Sequence, residues 1–182
     1  ILRAAGRPLI GIDLKIFDED DNELPTGQAG EVCVRGPNVT PGYLNRPEEN
    51  KEAFKNGWFH TGDVGKVDEN GILFLMDRKK DMIVSGGENI YTSEVEAALY
   101  KHPDVFECAV IGVPDYKYGE ALLAVIVPMP DKNIEKNAII KHCRKLIAGF
   151  KIPRQIDFVT ELPKSAMSKI LKNELRKIYS KN

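Results

Sequence analysis

Over the first 76 positions apolar and polar residues alternate in short bursts, and clusters of turn-forming residues divide the bursts. Half-buried strands leave this pattern, because successive side chains point to opposite faces. The spacing predicts strands over 10–17, 30–35, 63–67 and 72–76. The stretch DEDDNELPTG at 18–27 reads as a solvated loop, and Asn70-Gly71 within DENG at 68–71 favours a tight hairpin. One short helix is predicted after Pro47, whose fixed φ suits a first helical position. These elements make a barrel-like or meander β unit.

After Met76 the period changes. MIVSGGENIY reads as two short apolar runs around a Gly-Gly turn. TSEVEAALYKHP reads as a helix with Ser93 as cap, Glu96 three residues on and Pro103 as stop. Continuous apolar runs at 105–113 and 120–127 predict buried strands, 134–148 a helix ending at Gly149, 155–159 a further strand, and 169–179 a terminal helix. The fold class is therefore α+β: a barrel-like β subdomain over residues 1–77 and a small α/β domain over 78–182, divided in the charged stretch MDRKKDM.

At 182 residues the chain can bury one core or two small ones, and is too short for a complete enzyme with separate large nucleotide and substrate halves. The absence of an initiator Met points to a piece of something longer. The longest apolar runs, 121–129 and 108–113, fall short of the ~18 residues of a membrane span, and no signal-peptide pattern opens the chain. Cys33, Cys108 and Cys143 are odd in number, lack CxxC spacing and fall in apolar stretches, so they read as reduced core thiols of a cytoplasmic protein.

The net charge of −1 hides an asymmetry: residues 1–76 hold 8 Lys+Arg against 13 Asp+Glu, leaving 18 against 14 for the remainder. From Lys164 onward six basic residues face only Glu174, but only Tyr179 interleaves with them, so a nucleic-acid partner is not expected. A small polyanion such as a nucleotide stays open. His102 and His142 have no ligand spacing, and no metal centre is read from the sequence.

Four segments carry candidate chemistry: GEVCVRG at 30–36, GWFHTGD at 57–63, DRKKDMIVSGGENI at 77–90 and LPKSAMSKI at 162–170. On local grounds Asp63 is either a turn stabiliser or a carboxylate that accepts from both hydroxyls of a ribose. Gly86-Gly87 is either a hairpin turn or a close approach to a ligand, and lacks the Lys-Ser/Thr of a phosphate-binding P-loop. Arg78, Lys80, Lys151 and Lys169 each read equally as solvated basic residues, and Trp58 as packing for the β unit.

In this order and at these spacings the four segments resemble the later motifs of the adenylate-forming ligases: acyl-CoA synthetases, aryl-CoA ligases, luciferases and adenylation domains. GWFHTGD and DRKKDMIVSGGENI look most like fatty-acyl-CoA ligases. The resemblance implies activation of a carboxylic acid by ATP to an acyl-adenylate, then transfer to CoA with release of AMP, with magnesium carried in on ATP. A site of that kind must neutralise anionic phosphate and carboxylate as they meet, which calls for fixed cations in a water-poor cleft.

The resemblance further implies that Asp63 and Arg78 contact the ribose, that Lys80 is the hinge of a mobile C-terminal domain, and that Gly86 and Gly87 line the pantetheine channel of CoA. Lys151 would help bind CoA phosphates, and Lys169 would reach the substrate carboxylate and α-phosphate during adenylation. In PKSAMSK, Ser168 stands where the family usually has Gly, and is read as a cap for a helix beginning at Lys169. The chain thus resembles the end of a large N-terminal domain plus a C-terminal domain, whose partners are a carboxylic acid, ATP, CoA and the remainder of its own N-terminal domain. The rival reading is a non-catalytic module that docks CoA, a nucleotide or a partner protein. The family's phosphate loop and acyl pocket are not found here, so the purified 182-residue chain is expected to form no acyl-CoA from acid, ATP and CoA; turnover in that assay would overturn the expectation.

Overall fold

The computed structural model describes residues 4–179, which divide into two compact units on either side of the bond between Lys80 and Asp81. The division falls slightly later than the expected 77/78 boundary. Residues Lys79–Asp81, which hold the expected hinge Lys80, form a single 3₁₀ turn.

The first unit is an antiparallel sheet. Its strands are β1 (Ala4–Gly6), β2 (Asp13–Phe17), β3 (Gly30–Arg35), β4 (Phe54–Lys55), β5 (Trp58–Val67) and β6 (Leu73–Arg78), with helix α1 (Pro47–Ala53) between β3 and β4. The order is β1-β6-β5-β3-β2, with β4 also paired to β5. The expected strands at 63–67 and 72–76 are the cores of β5 and β6, both of which run further: β5 takes in the whole of WFHTGD. The hairpin turn at Asn70-Gly71 forms as expected, with the Asp68 carboxylate accepting from the Asn70 and Ile72 N–H groups. Ile16, Val32 and Leu73 make its buried apolar cluster, with Leu14, Leu24 and Val67 against them. Trp58 is buried beside Phe17, and the Arg35 guanidinium lies 4.5 Å over its indole.

The second unit has a much larger core. It comprises β7 (Ile83–Ser85), β8 (Glu88–Ile90), α2 (Thr92–Leu99), β9 (Val105–Asp115), β10 (Gly119–Pro128), α3 (Lys136–Cys143), β11 (Gln155–Phe158) and α4 (Lys172–Tyr179). The sheet is ordered β11-β10-β7-β8, with β9 also paired to β10, and only the β10–β11 pairing is parallel. β10 is buried on both faces from Ala121 to Val127. Because side chains alternate along a strand, Leu122, Ala124 and Ile126 join one cluster with Val95, Leu99, Ile139 and Cys143, while Ala121, Leu123, Val125 and Val127 join another with Leu162 and Leu175. Two helices therefore cover one face and α4 the other, which is why 120–127 reads as a continuous apolar run and not an alternating one.

Several boundaries move for identifiable reasons. α2 begins at Thr92 with Tyr91 at its cap, so Ser93 lies inside the first turn. α3 ends at Cys143 instead of near Ala148, because the bonds tighten there to the i→i−3 pattern, Lys145 donating to the His142 carbonyl and Leu146 to that of Cys143. Glu96 serves the sheet: its Oε1 accepts from the Val110 N–H at 2.8 Å and lies 2.7 Å from the Lys172 ammonium. The Tyr100 hydroxyl, one helical turn on, accepts from the Cys108 N–H at 3.4 Å. The outward N–H groups of β9, which an edge strand would leave open, are thus met by α2. Glu96→Ala removes the acceptor of a buried amide and the counter-charge of Lys172, which keeps its bond to the Thr92 hydroxyl, so it should cost about 1–3 kcal/mol. Glu96→Gln, which keeps an acceptor, should cost less. Urea midpoints and amide exchange at Val110 check both, and unchanged exchange at Val110 in the Ala variant would refute the role.

Candidate functional site

The segment HTGD sits in a pronounced bulge. Glu31 pairs with Val64 and Cys33 with His60, so Val32 alone on β3 faces Thr61, Gly62 and Asp63 on β5. Extra residues in one strand leave ladder hydrogen bonds unmade, and these must be recovered elsewhere. Side chains recover them here. The Thr61 hydroxyl donates to the Val32 carbonyl at 2.7 Å and accepts from the Asp63 N–H at 3.1 Å, while the Glu31 carboxylate accepts from the Gly62 N–H at 3.1 Å. Gly62 has φ of +70°, a conformation that suits glycine far better than any residue with a Cβ.

The bulge presents Asp63 directly opposite Arg78, and Arg78 Nε lies 2.8 Å from Asp63 Oδ1. Asp63 is therefore not at a turn, and Arg78 does not follow a strand ending at Met76. Both are ladder residues, because a second irregularity between Val64 and Gly65 sets Met76 aside and lets β6 run on to Arg78. Both side chains keep solvent access, Arg78 at 52% and Asp63 at 31%. An open cleft of about 320 Å³ lined by Gly62, Arg78, Lys79 and Lys80 lies beside them.

Behind the bulge lies a cluster that no sequence spacing announced. Glu31, 9% exposed, holds the Lys79 ammonium at 2.8 Å and has His60 Nδ1 at 3.3 Å; the same nitrogen is 3.3 Å from the buried Cys33 Sγ. Burial would push the Glu31 carboxyl up, but the hydrogen bonds and charges of Lys79 and His60 more than offset it and hold it below its ordinary value. The Lys79 ammonium is pushed up, first by that hydrogen bond. Burial, with the Glu31 charge, raises the Cys33 thiol to about 12. Glu31, Cys33 and His60 bring three possible ligand atoms within 4.8 Å of one another, but Lys79 already supplies the positive charge to Glu31.

The other candidates lie in the second unit. Gly86 and Gly87 form the two-residue loop of the β7–β8 hairpin, with φ of +62° and +85°, the primed turn that such hairpins favour. The Tyr118 ring lies 3.3 Å from where a Cβ on Gly86 would stand. Lys151 pairs with Glu94 at 2.6 Å. Lys169 does not begin a helix. The Ser165 hydroxyl accepts from the Met167 and Lys169 N–H groups, and its N–H donates to the Lys169 carbonyl at 2.8 Å, so α4 waits until Lys172. Ser168 is no cap: it sits in this loop at φ of +59°, a left-handed conformation that explains why glycine suits the position. Lys169 itself is exposed. His102 and His142 meet edge-on at 5.1 Å, and burial and the His142 ring lower the affinity of His102 for a proton.

Residues 2–44 match the model of the AMP-binding enzyme family, and residues 94–169 match that of the AMP-binding enzyme C-terminal domain. The chain belongs to the AMP-binding enzymes. Among curated members of that family, it is 45% identical over 171 residues to the long-chain-fatty-acid–CoA ligase of Escherichia coli O6:H1, covering 94% of this chain and 30% of the ligase. It is equally 45% identical over 176 residues to the feruloyl-CoA synthase of an Amycolatopsis species, covering 97% and 36%. Among solved members, ATP-bound MatB from Rhodopseudomonas palustris superposes with a TM-score of 0.90 at 39% identity, over 97% of this chain and 36% of that one. The chain thus spans about a third of the length of these relatives, and its fold is that of the adenylate-forming ligases.

The Glu31–Lys79 pair gives the first unit a defined pH dependence. A carboxyl held below its unfolded value stabilises the fold above that value, and the benefit is lost as pH falls through the lowered one; an ammonium held above its unfolded value loses its contribution as pH rises through the raised one. The pair should therefore stabilise the fold across neutral pH and fade in acid below about pH 4 and in alkali above about pH 10. Lys79→Met should lower the urea midpoint at pH 7, and that loss should shrink steadily as the pH falls below about 4; a loss that does not change with pH would show that its charge is not what matters.

Proposed function

We propose that this chain is the C-terminal portion of an ATP-dependent, AMP-forming acid–CoA ligase. The reading is carried by the near-complete coverage of the chain by ligases that form acyl-CoA thioesters, at 45% identity. A fatty-acid and an aromatic-acid ligase match equally well, so the acid remains a carboxylic acid of unassigned chain in this proposal. Residues 1–77 would be the end of the large N-terminal domain, and exposed Leu9, Ile10 and Leu44 on a unit with a small apolar cluster suit a surface that the rest of that domain covers. Residues 78–182 would be the C-terminal domain.

Within this reading Asp63 and Arg78 bind the ribose. The juxtaposition supports it: a partly exposed carboxylate fixed by a guanidinium keeps acceptor capacity for two hydroxyls. We assign Lys169 to the meeting carboxylate and α-phosphate, Lys80 to the hinge, Gly86 and Gly87 to the pantetheine arm, and Lys151 to CoA phosphates, for which it would have to leave Glu94. Magnesium would enter on the phosphates of ATP. Three buried thiols suit a reducing compartment, and we place the enzyme in the cytoplasm. The rival binding module has no need of Asp63, Arg78 and Lys169 together.

In the complete ligase, Lys169→Ala should lower acyl-adenylate formation by about 100-fold or more, the scale on which removal of one transition-state charge partner is felt. Thioester formation from supplied acyl-adenylate should survive. Pyrophosphate exchange and single-turnover thioester assays separate the two steps, and an equal loss in both would assign Lys169 the wrong task.

A further inference from the structure

We propose that Glu31 is the positioning residue of the nucleotide site, holding Asp63 and Arg78 in the geometry that receives the ribose. The proposal deepens the ribose reading above and rests on it. The two oxygens of Glu31 divide between the two strands that carry those residues. Oε1 accepts from the N–H of Gly62, which immediately precedes Asp63, and Oε2 holds the ammonium of Lys79, which immediately follows Arg78. One carboxylate thus clips the bulge of β5 to the end of β6 beside the Asp63–Arg78 contact.

The clip has mechanical consequences. Gly62 has no side chain to restrain it and sits at positive φ, so the orientation of the Asp63 backbone depends on what its own N–H and that of Gly62 are bonded to. Thr61 takes one of these and Glu31 the other. Without Glu31 the Gly62 N–H loses its acceptor and Lys79 its partner, both strand ends are released, and Asp63 and Arg78 satisfy each other in whatever geometry the loosened bulge allows. Glu31 itself is 9% exposed and lies behind the bulge, so it acts on the ligand only through these neighbours.

The test is a double-mutant cycle in the complete ligase, with KM for ATP, for the acid and for CoA measured separately. Glu31→Ala should raise KM for ATP about tenfold or more, within the range that misplacement of a binding group costs, and leave the other two within about twofold. Glu31→Gln keeps one acceptor oxygen and puts an amide donor where the other stood, so it can hold only one arm of the clip, and its KM for ATP should fall between those of the wild type and Glu31→Ala. In an Asp63→Ala background, Glu31→Ala should add almost nothing, since its target is gone. A rise common to all three substrates, an unchanged KM for ATP despite lowered thermal stability, or full additivity with Asp63→Ala would each overturn the proposal. If Asp63→Ala alone leaves KM for ATP unchanged, the ribose reading fails first and this proposal falls with it. Should Glu31→Ala not fold, Glu31→Gln and Lys79→Met carry the same cycle, with the effect on ATP again required to vanish without Asp63.

Discussion

An antiparallel ladder that accommodates three residues against one must find new partners for the backbone groups it exposes. In this chain those partners are the side chains of Thr61 and Glu31. The apolar cluster of the first unit is small, so the bulge is held chiefly by hydrogen bonds and one partly buried ion pair, not by packing. A carboxylate as buried as Glu31 is tolerable only because three groups, the Gly62 amide, the Lys79 ammonium and the His60 ring, meet it at once. The Asp63–Arg78 contact follows from this: the bulge in β5 presents Asp63, and Arg78 stands opposite because the irregularity at Met76 shifts the register of β6 by one residue.

The second unit is built on the opposite principle. β10 is enclosed on both faces and pairs with β7, β9 and β11, so apolar burial sets the form of the unit. Where a backbone edge would remain open, at β9, α2 supplies Glu96 and Tyr100. The hairpin of Gly86 and Gly87 and the loop of Lys169 extend from this frame as short, locally bonded turns. Their backbone conformations are set within the loops themselves, by two glycines at positive φ in one case and by the Ser165 hydroxyl in the other.

The contrast explains what the sequence disclosed. Apolar runs at 105–113 and 120–127 announce buried strands because burial on both faces is written in consecutive residues, and the Gly-Gly and Asn-Gly turns are local by nature. The bulge is not local. HTGD reads as a turn because Thr, Gly and Asp are turn formers, and only the register of β3, some thirty residues earlier, reveals that the turn-like bend lies inside a ten-residue strand. The part of Glu31 is hidden for the same reason: nothing within GEVCVRG signals its partners, which arrive from positions 60, 62 and 79. Ser168, before an amphipathic run, has the local signature of a cap, but Ser165 takes the backbone bonds that a cap would make.

The proposed ligand-binding cations differ in what they must give up. Arg78 lies against Asp63 and Lys151 against Glu94, so an incoming anion at either must compete with a carboxylate already in place. In the proposed ribose site that competition would be useful for Arg78: the same carboxylate that restrains the guanidinium would be the acceptor for the ribose, and ligand and partner could share it. For Lys151 the internal partner offers the ligand nothing, and a ligand would have to displace the Glu94 carboxylate from a half-buried ammonium. Lys169, exposed on a loop whose backbone is fixed by Ser165, is placed differently again. Its position is set by main-chain bonds and not by a counter-charge, so its ammonium can approach an anion without first breaking a bond that holds the loop. A cation meant to meet charge only transiently is better anchored through its backbone than through its head group, and among Arg78, Lys151 and Lys169 it is Lys169 that is held in that way.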